Sequence, residues 1–291
     1  MLGLTQGGGQ APPTREHNAD SATDARARGA GGGEQQFAPL IRTIESEIIP
    51  RLLLAHKGAV DARGEDDLLG ERPSADHVLE FAGLVLSRDA TAAAGYVEAM
   101  VDQGFRLETL YLELLAPAAR HLGELWEQDF CDFVDVTMAL GRVQHVLREF
   151  SPLFRETGNA VTPRARRILL TPAPGEQHSM GLMMVKEFFI RGGWEAIGGA
   201  NVPAEEVGRH LAAEWFDCVG VSVGGTCRLD GLAAWIAALR NMSRNPTVAV
   251  LLGGPHFVAN PELAAFYGAD GTAVDARAAV QQAERLTTRT D

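Results

Sequence analysis

The chain of 291 residues carries 26 basic against 38 acidic side chains, a net charge of −12, and is 46% hydrophobic. Its length suggests about two domains, each large enough to bury its own core, and its acidic balance works against a general affinity for free DNA. Cys131, Cys218 and Cys227 are scattered and make neither a disulfide framework nor a zinc pattern. No run approaches the roughly 18 apolar residues of a membrane span, and the first ten residues lack the charged start and apolar run of a signal peptide, so a cytoplasmic location is expected.

Residues 1–34, with the glycine triplets Gly7, Gly8, Gly9 and Gly31, Gly32, Gly33, offer little apolar surface to bury and are expected to be a disordered tail. Residues 35–75 come next as an amphipathic helix and a charged linker. The helix, over about 36–57, carries Phe37, Leu40, Ile41, Ile44 and Ile48 on one side. It is read as packing on the helical bundle beyond the linker, with a partner-binding surface as the alternative.

Residues 76–156 show helical apolar spacing with no strand-like alternation, broken near Gly104 and near Asp129 to Asp132. The pattern predicts a bundle of four helices, over 76–87, 91–103, 107–128 and 132–154, the third kinked by Pro117. In the fourth, Val136, Leu140, Val143, Leu147 and Phe150 form a core stripe. Val134, Met138, Gly141 and His145 fall on the opposite side, which is apolar or small where a solvated face should be charged. Such a face suits a flat macrocycle, with Gly141 giving clearance and His145 reaching a metal; a surface histidine beside Arg142 and Glu149 is the plainer alternative. Trp126 at the end of the third helix either stacks over the same ligand or belongs to the core, and His121 is a second, weaker ligand candidate.

From 164 to 291 strands alternate with helical patterns, over 167–171, 194–197, 218–223, 247–252 and, more weakly, 271–274. Near-continuous apolar strands imply burial on both faces, hence a five-stranded parallel sheet in an α/β domain. The loop after the first strand reads Glu176-x-His178-x-x-Gly181. It lies at the carboxyl end of the strand, where open α/β sheets bind ligands. Glu176 can fix one imidazole nitrogen and leave the other free for a metal, and Gly181 admits a bulky ligand. Ser222 and Gly224 after the third strand, with Gly253 and Gly254 after the fourth, would line a narrow slot beside His178; tight strand-to-helix turns account for each glycine singly. His256 is expected to be a loop residue near that slot.

The three signals together, E-x-H-x-x-G, Ser222-Val223-Gly224 and Gly253-Gly254, resemble the signature of cobalamin-binding Rossmann-like domains of flavodoxin-like topology, over residues 164–290. The resemblance implies His178 as the lower cobalt ligand, oriented by Glu176, with Ser222, Gly224, Gly253 and Gly254 lining the displaced nucleotide tail. Many members of that family have Asp at the position of Glu176 and Leu or Thr at that of Gly224. The helical cap is similar to that of light-responsive cobalamin repressors. Those carry a Trp followed by a Glu-His pair, where this chain has Trp126 but Val136 and Thr137.

With no helix-turn-helix ahead of the bundle, the whole arrangement resembles the AerR/PpaA family of antirepressors. That resemblance implies a light-responsive regulator rather than an enzyme. It would hold hydroxocobalamin between His178 and His145, with Trp126, Met138 and Gly141 on the upper face, and act on a CrtJ/PpsR-type repressor of photosystem genes, touching DNA only indirectly if at all. The alternatives are a corrinoid carrier protein of a methyltransferase system and a haem or other tetrapyrrole sensor.

Overall fold

A computed structural model describes residues 71–288 apart from 88–89, 161–164, 179, 200–201, 203 and 225–228. The chain divides into a unit of residues 1–61 and a unit of residues 62–291. The expected tail and the amphipathic helix over 36–57 lie outside the described residues, as does Cys227.

Helix α1 (Ala75–Leu86) starts where Ser74 and His77 satisfy each other's backbone: the Ser74 hydroxyl accepts from the His77 N–H, and His77 Nδ1 accepts from the Ser74 N–H. Helix α2 (Ala90–Asp102) comes after it. The third rod runs as α3 (Leu107–Leu110), a π-helical turn (Tyr111–Leu115) and α4 (Ala116–Glu127). Helix α5 (Phe133–Glu156) is capped by Asp132, whose carboxylate accepts from the Asp135 N–H at 2.7 Å. Pro117 was expected to kink the third rod, and a π-helical turn ends just before it, with the Ala116 N–H reaching back to the Tyr111 carbonyl. Such a widened turn makes room for the proline ring and shifts the hydrogen-bond ladder ahead of the residue that cannot donate.

Val136, Val143 and Leu147 of the expected stripe are buried, Leu140 and Phe150 pack beside them, and Ala139, Val146 and Phe154 complete the buried side of α5. Tyr111 lies fully buried among them, its hydroxyl donating to the Leu147 carbonyl at 3.0 Å.

Strands β1 (Arg167–Pro172), β2 (Glu195–Gly198), β3 (Cys218–Ser222), β4 (Ala249–Gly253) and β5 (Gly271–Thr272) form one parallel sheet in the order β2-β1-β3-β4-β5. Helices α6 (Met180–Arg191), α7 (Ala204–Ala213), α8 (Leu232–Met242), α9 (Pro255–Ala259), α10 (Leu263–Phe266) and α11 (Ala276–Leu286) join them. This is the expected five-stranded flavodoxin-like arrangement behind a four-helix bundle. The β1–β3–β4 interior is apolar on both faces, as a parallel sheet covered by helices requires.

Helix α6 is apolar on two sides. Leu182 and Phe189 pack on the sheet, while Met184 and Phe188 belong to the same buried cluster as the bundle. Phe188 meets Phe154, whose ring stacks on Tyr111 with centroids 4.6 Å apart. Ion pairs close the seam: Arg155 grips Glu187 with two hydrogen bonds of 2.7 and 2.6 Å, and Glu108 accepts from both Arg191 and Arg277. Bundle and sheet domain therefore share a core.

Candidate cobalamin site

The loop between β1 and α6 turns at Gly175, which takes a φ of 74°. Backbone from two sides then wraps round the Glu176 carboxylate. Its Oε1 accepts from the Gln177 and His178 backbone N–H groups, both at 2.8 Å, and faces His178 Nδ1 at 2.5 Å. Its Oε2 accepts from the Gly224 N–H at the end of β3, also at 2.5 Å. Burial alone would push this carboxyl upward, but the hydrogen bonds from His178, Gly224 and Gln177 outweigh it and hold Glu176 below the usual carboxylate range.

An ionised carboxylate can only accept, so Nδ1 of His178 is the donor to it, which leaves Nε2 as the ring nitrogen turned to a ligand. The two side chains contrast in exposure, 3% for Glu176 and 80% for His178. A fixed carboxylate thus presents one exposed, oriented imidazole nitrogen. Among the described residues no three His, Cys, Asp or Glu side chains gather as a metal cage. A single imidazole donor with its supporting carboxylate can serve a metal whose other ligands come from the group that carries it.

The strand register places Pro172, Ser222 and Gly253 in one row at the carboxyl edge of the sheet. Val223 then donates its N–H to the Gly253 carbonyl, and Ala173 donates to that of Ser222. A methyl group added to each glycine of the motif separates their roles. At Gly181 it would meet nothing within 4 Å, and at Gly253 only the Val221 carbonyl at 3.9 Å. At Gly254, whose φ is 121°, it would run straight into the Val223 carbonyl. At Gly224 it would stand 2.7 Å from both Glu176 Oε2 and His178 Nδ1. Gly181 and Gly253 are therefore open toward a ligand, whereas close packing inside the chain accounts for Gly254 and Gly224. His256, after this turn, is half-buried with Nε2 unpartnered.

The bundle supplies an exposed apolar face. Val134, Met138 and His145 of α5 are 63%, 54% and 62% exposed, and Gly141 between them has open space at its Cα. Trp126 is exposed at the end of α4 and meets Phe133 edge-on at 6.3 Å. Phe130 and Phe133 are also exposed at the α4–α5 turn; their place beside the Asp129–Asp132 turn is the signal in the sequence that could have pointed to them. His145 lies 3.7 Å from Glu149, one turn on. His121 is instead buried in the bundle, where desolvation lowers its pKa against the pull of Glu124, so it is not on this face. The His178 loop runs directly into α6, whose first residue, Met180, packs against the bundle core. The structure thus joins Glu176, His178 and Gly224 in one contact set, Ser222 and Gly253 in one strand-end row, and Met138, Gly141 and His145 along one exposed side of α5, with Trp126 exposed at the end of α4 against Phe133.

An exposed apolar helix face, an open Gly253 in the strand-end row and a single oriented imidazole fit a corrin with a nucleotide tail. Comparison with known proteins agrees. One B12 binding domain model matches residues 166–281 and a second matches residues 80–149. The chain is 27% identical over 164 residues to an uncharacterized 20.5 kDa protein in the bchF-crtJ intergenic region of Rhodobacter capsulatus, covering 56% of this chain and 84% of that protein. Among solved structures it is similar in fold to the monomethylamine corrinoid protein of Methanosarcina barkeri. That likeness has a TM-score of 0.60 and 16% identity, and spans 72% of this chain and 98% of that one. Matched in tandem to two B12 binding domains that together span more than half its length, the chain belongs to the proteins built on B12 binding domains, and cobalamin is its cofactor.

Proposed function

We propose that this protein is a light-responsive regulator, an antirepressor and not an enzyme, that holds hydroxocobalamin between His178 and His145 and acts by binding a CrtJ/PpsR-type repressor protein. The observation that carries this reading is the exposed apolar face of α5, with His145 on it, in the same unit as the oriented imidazole of His178. When bound, cobalamin would supply a cobalt centre that accepts imidazole ligands and is light-sensitive in its alkyl forms. His178 would hold the cobalt through Nε2, and Ser222 and Gly253 would flank the tail. Trp126, Met138 and Gly141 would cover the corrin from the bundle side, where His145 would be the second ligand. Gripping the ligand from both the bundle and the sheet domain would favour one packing of the two. Only a difference in affinity between cofactor forms can turn that grip into a signal. The bchF-crtJ location of the Rhodobacter capsulatus relative supports a repressor of the CrtJ type as partner.

The test is the absorption spectrum after mixing with hydroxocobalamin or adenosylcobalamin and desalting, for the wild type, His178→Ala and His145→Ala. Retained hydroxocobalamin with a shifted spectrum that His145→Ala reverses, and repressor binding by that loaded form alone, is the expected result. Equal retention of both forms, untouched by His145→Ala, would overturn the two-histidine reading in favour of an open upper face, as a corrinoid carrier needs.

A further inference from the structure

We infer that Gly224 is a positioning residue for the metal ligand: its missing side chain is what allows a glutamate at 176 to hold the His178 imidazole. This deepens the site reading above and rests on it for the role of His178.

Three atoms crowd the place where a Cβ on residue 224 would stand. They are Glu176 Oε2 and His178 Nδ1, each at 2.7 Å, and Glu176 Cδ at 3.0 Å. All three belong to the carboxylate–imidazole pair. The same residue's N–H anchors the carboxylate through Oε2. Gly224 is absent from the glycines with left-handed φ, so alanine can adopt its backbone and the conflict is purely one of space.

Which group yields is decided by how each is held. Glu176 is buried and receives four hydrogen bonds, three of them from backbone. His178 hangs on a loop with its ring in solvent and one bond to the carboxylate. A methyl at 224 therefore ejects the imidazole, which frees the tautomer and the aim of Nε2. Aspartate at 176 is shorter by one methylene, so its carboxylate retreats by about 1.5 Å and vacates the same space. Gly224→Ala and Glu176→Asp should thus each harm the site alone and offset each other together, a non-additive pair.

The experiment is a four-cornered cycle of wild type, Gly224→Ala, Glu176→Asp and the double variant, on the full chain. The first readout is the ¹⁵N spectrum of the His178 imidazole in the cofactor-free protein at one pH. The second is hydroxocobalamin retention. The wild type should show the Nδ1–H tautomer. Gly224→Ala should lose it and bind hydroxocobalamin about 10–100-fold more weakly, and the double variant should recover both. Unchanged tautomer and affinity in Gly224→Ala would overturn the inference, as would a double variant no better than its worse parent. Should Gly224→Ala fail to fold, recovery in the double variant still decides. If the imidazole follows the expected pattern while no variant retains cobalamin, the positioning role stands and the cofactor reading falls.

Discussion

Gly253 and Gly254 are neighbours in sequence and opposites in what they need. Gly254 sits at φ 121° with the Val223 carbonyl pressed against its Cα, so alanine there meets both backbone strain and a hard clash. Gly254→Ala should destabilise the cofactor-free protein by about 3 kcal/mol or more. Gly253→Ala should leave its melting temperature within about 1 °C, since surface-like changes of this kind stay within a few tenths of a kcal/mol, while weakening cobalamin retention through the lost clearance. Thermal melts of the cofactor-free protein and retention after desalting check both; equal melting temperatures would refute the distinction. The sequence pairs these glycines because a motif records spacing, whereas the Val223 carbonyl that separates them arrives from the neighbouring strand. Glu176 and His178 were legible from spacing, but the identity of Gly224 as their contact was not: it lies 48 residues from Glu176. The two positions at which the chain departs from the family pattern, Glu176 and Gly224, are thereby seen to touch.

The turn between α4 and α5 shows how an element edge builds the cap face. Asp129 takes φ 60°, and its N–H donates to the Trp126 carbonyl while that of Phe130 donates to Leu125. These are the paired bonds of a Schellman stop, in which the left-handed position normally falls to glycine. The stop reverses the chain within a few residues and leaves Trp126, Phe130 and Phe133 exposed together. Asp129→Gly should relieve the left-handed cost, about 1–2 kcal/mol for a residue with a Cβ, less the extra chain entropy of glycine. A net gain of about 0.5–1 kcal/mol, seen as a melting temperature higher by about 1–4 °C, is expected with cobalamin retention unchanged. A lower melting temperature would mean that the Asp129 side chain contributes more than its backbone conformation costs. The core stripe of α5 was readable because a 3.6-residue period repeats over several turns. The π-helical turn before Pro117 was not, because sequence spacing records the problem proline creates and not which of several relaxations relieves it.

At the scale of the whole molecule, the bundle and sheet domain are tied by a carboxylate whose partners no local pattern reveals. Glu108 lies 83 residues from Arg191 and 169 from Arg277, yet accepts from both, with its side chain only 11% exposed. Burial would raise its pKa; the hydrogen bond from Arg191 and the charges of Arg277 and Arg191 outweigh that and hold it below the usual range. A carboxyl depressed in the folded state takes up its proton less readily than in the unfolded chain, whose glutamates titrate near about 4.3. Its contribution is therefore fully present above that value and is lost as pH falls through the folded pKa. Glu108→Gln should cost about 2 kcal/mol at pH 7, in the range for hydrogen bonds to charged groups. The same substitution should cost progressively less as pH falls below about 4.3 and on through the folded pKa, where the wild-type carboxylate takes up its proton. Denaturant titrations of both proteins at pH 7 and across that acidic range test this, and a loss that does not change with pH would assign the effect to packing instead of charge. Because α6 carries Arg191 at one end and adjoins the His178 loop at the other, the same substitution links the seam to the site. If ligation draws bundle and sheet domain together, hydroxocobalamin should raise the melting temperature of Glu108→Gln by less than it raises that of the wild type, since part of the binding energy would go into restoring a seam the wild type already holds closed.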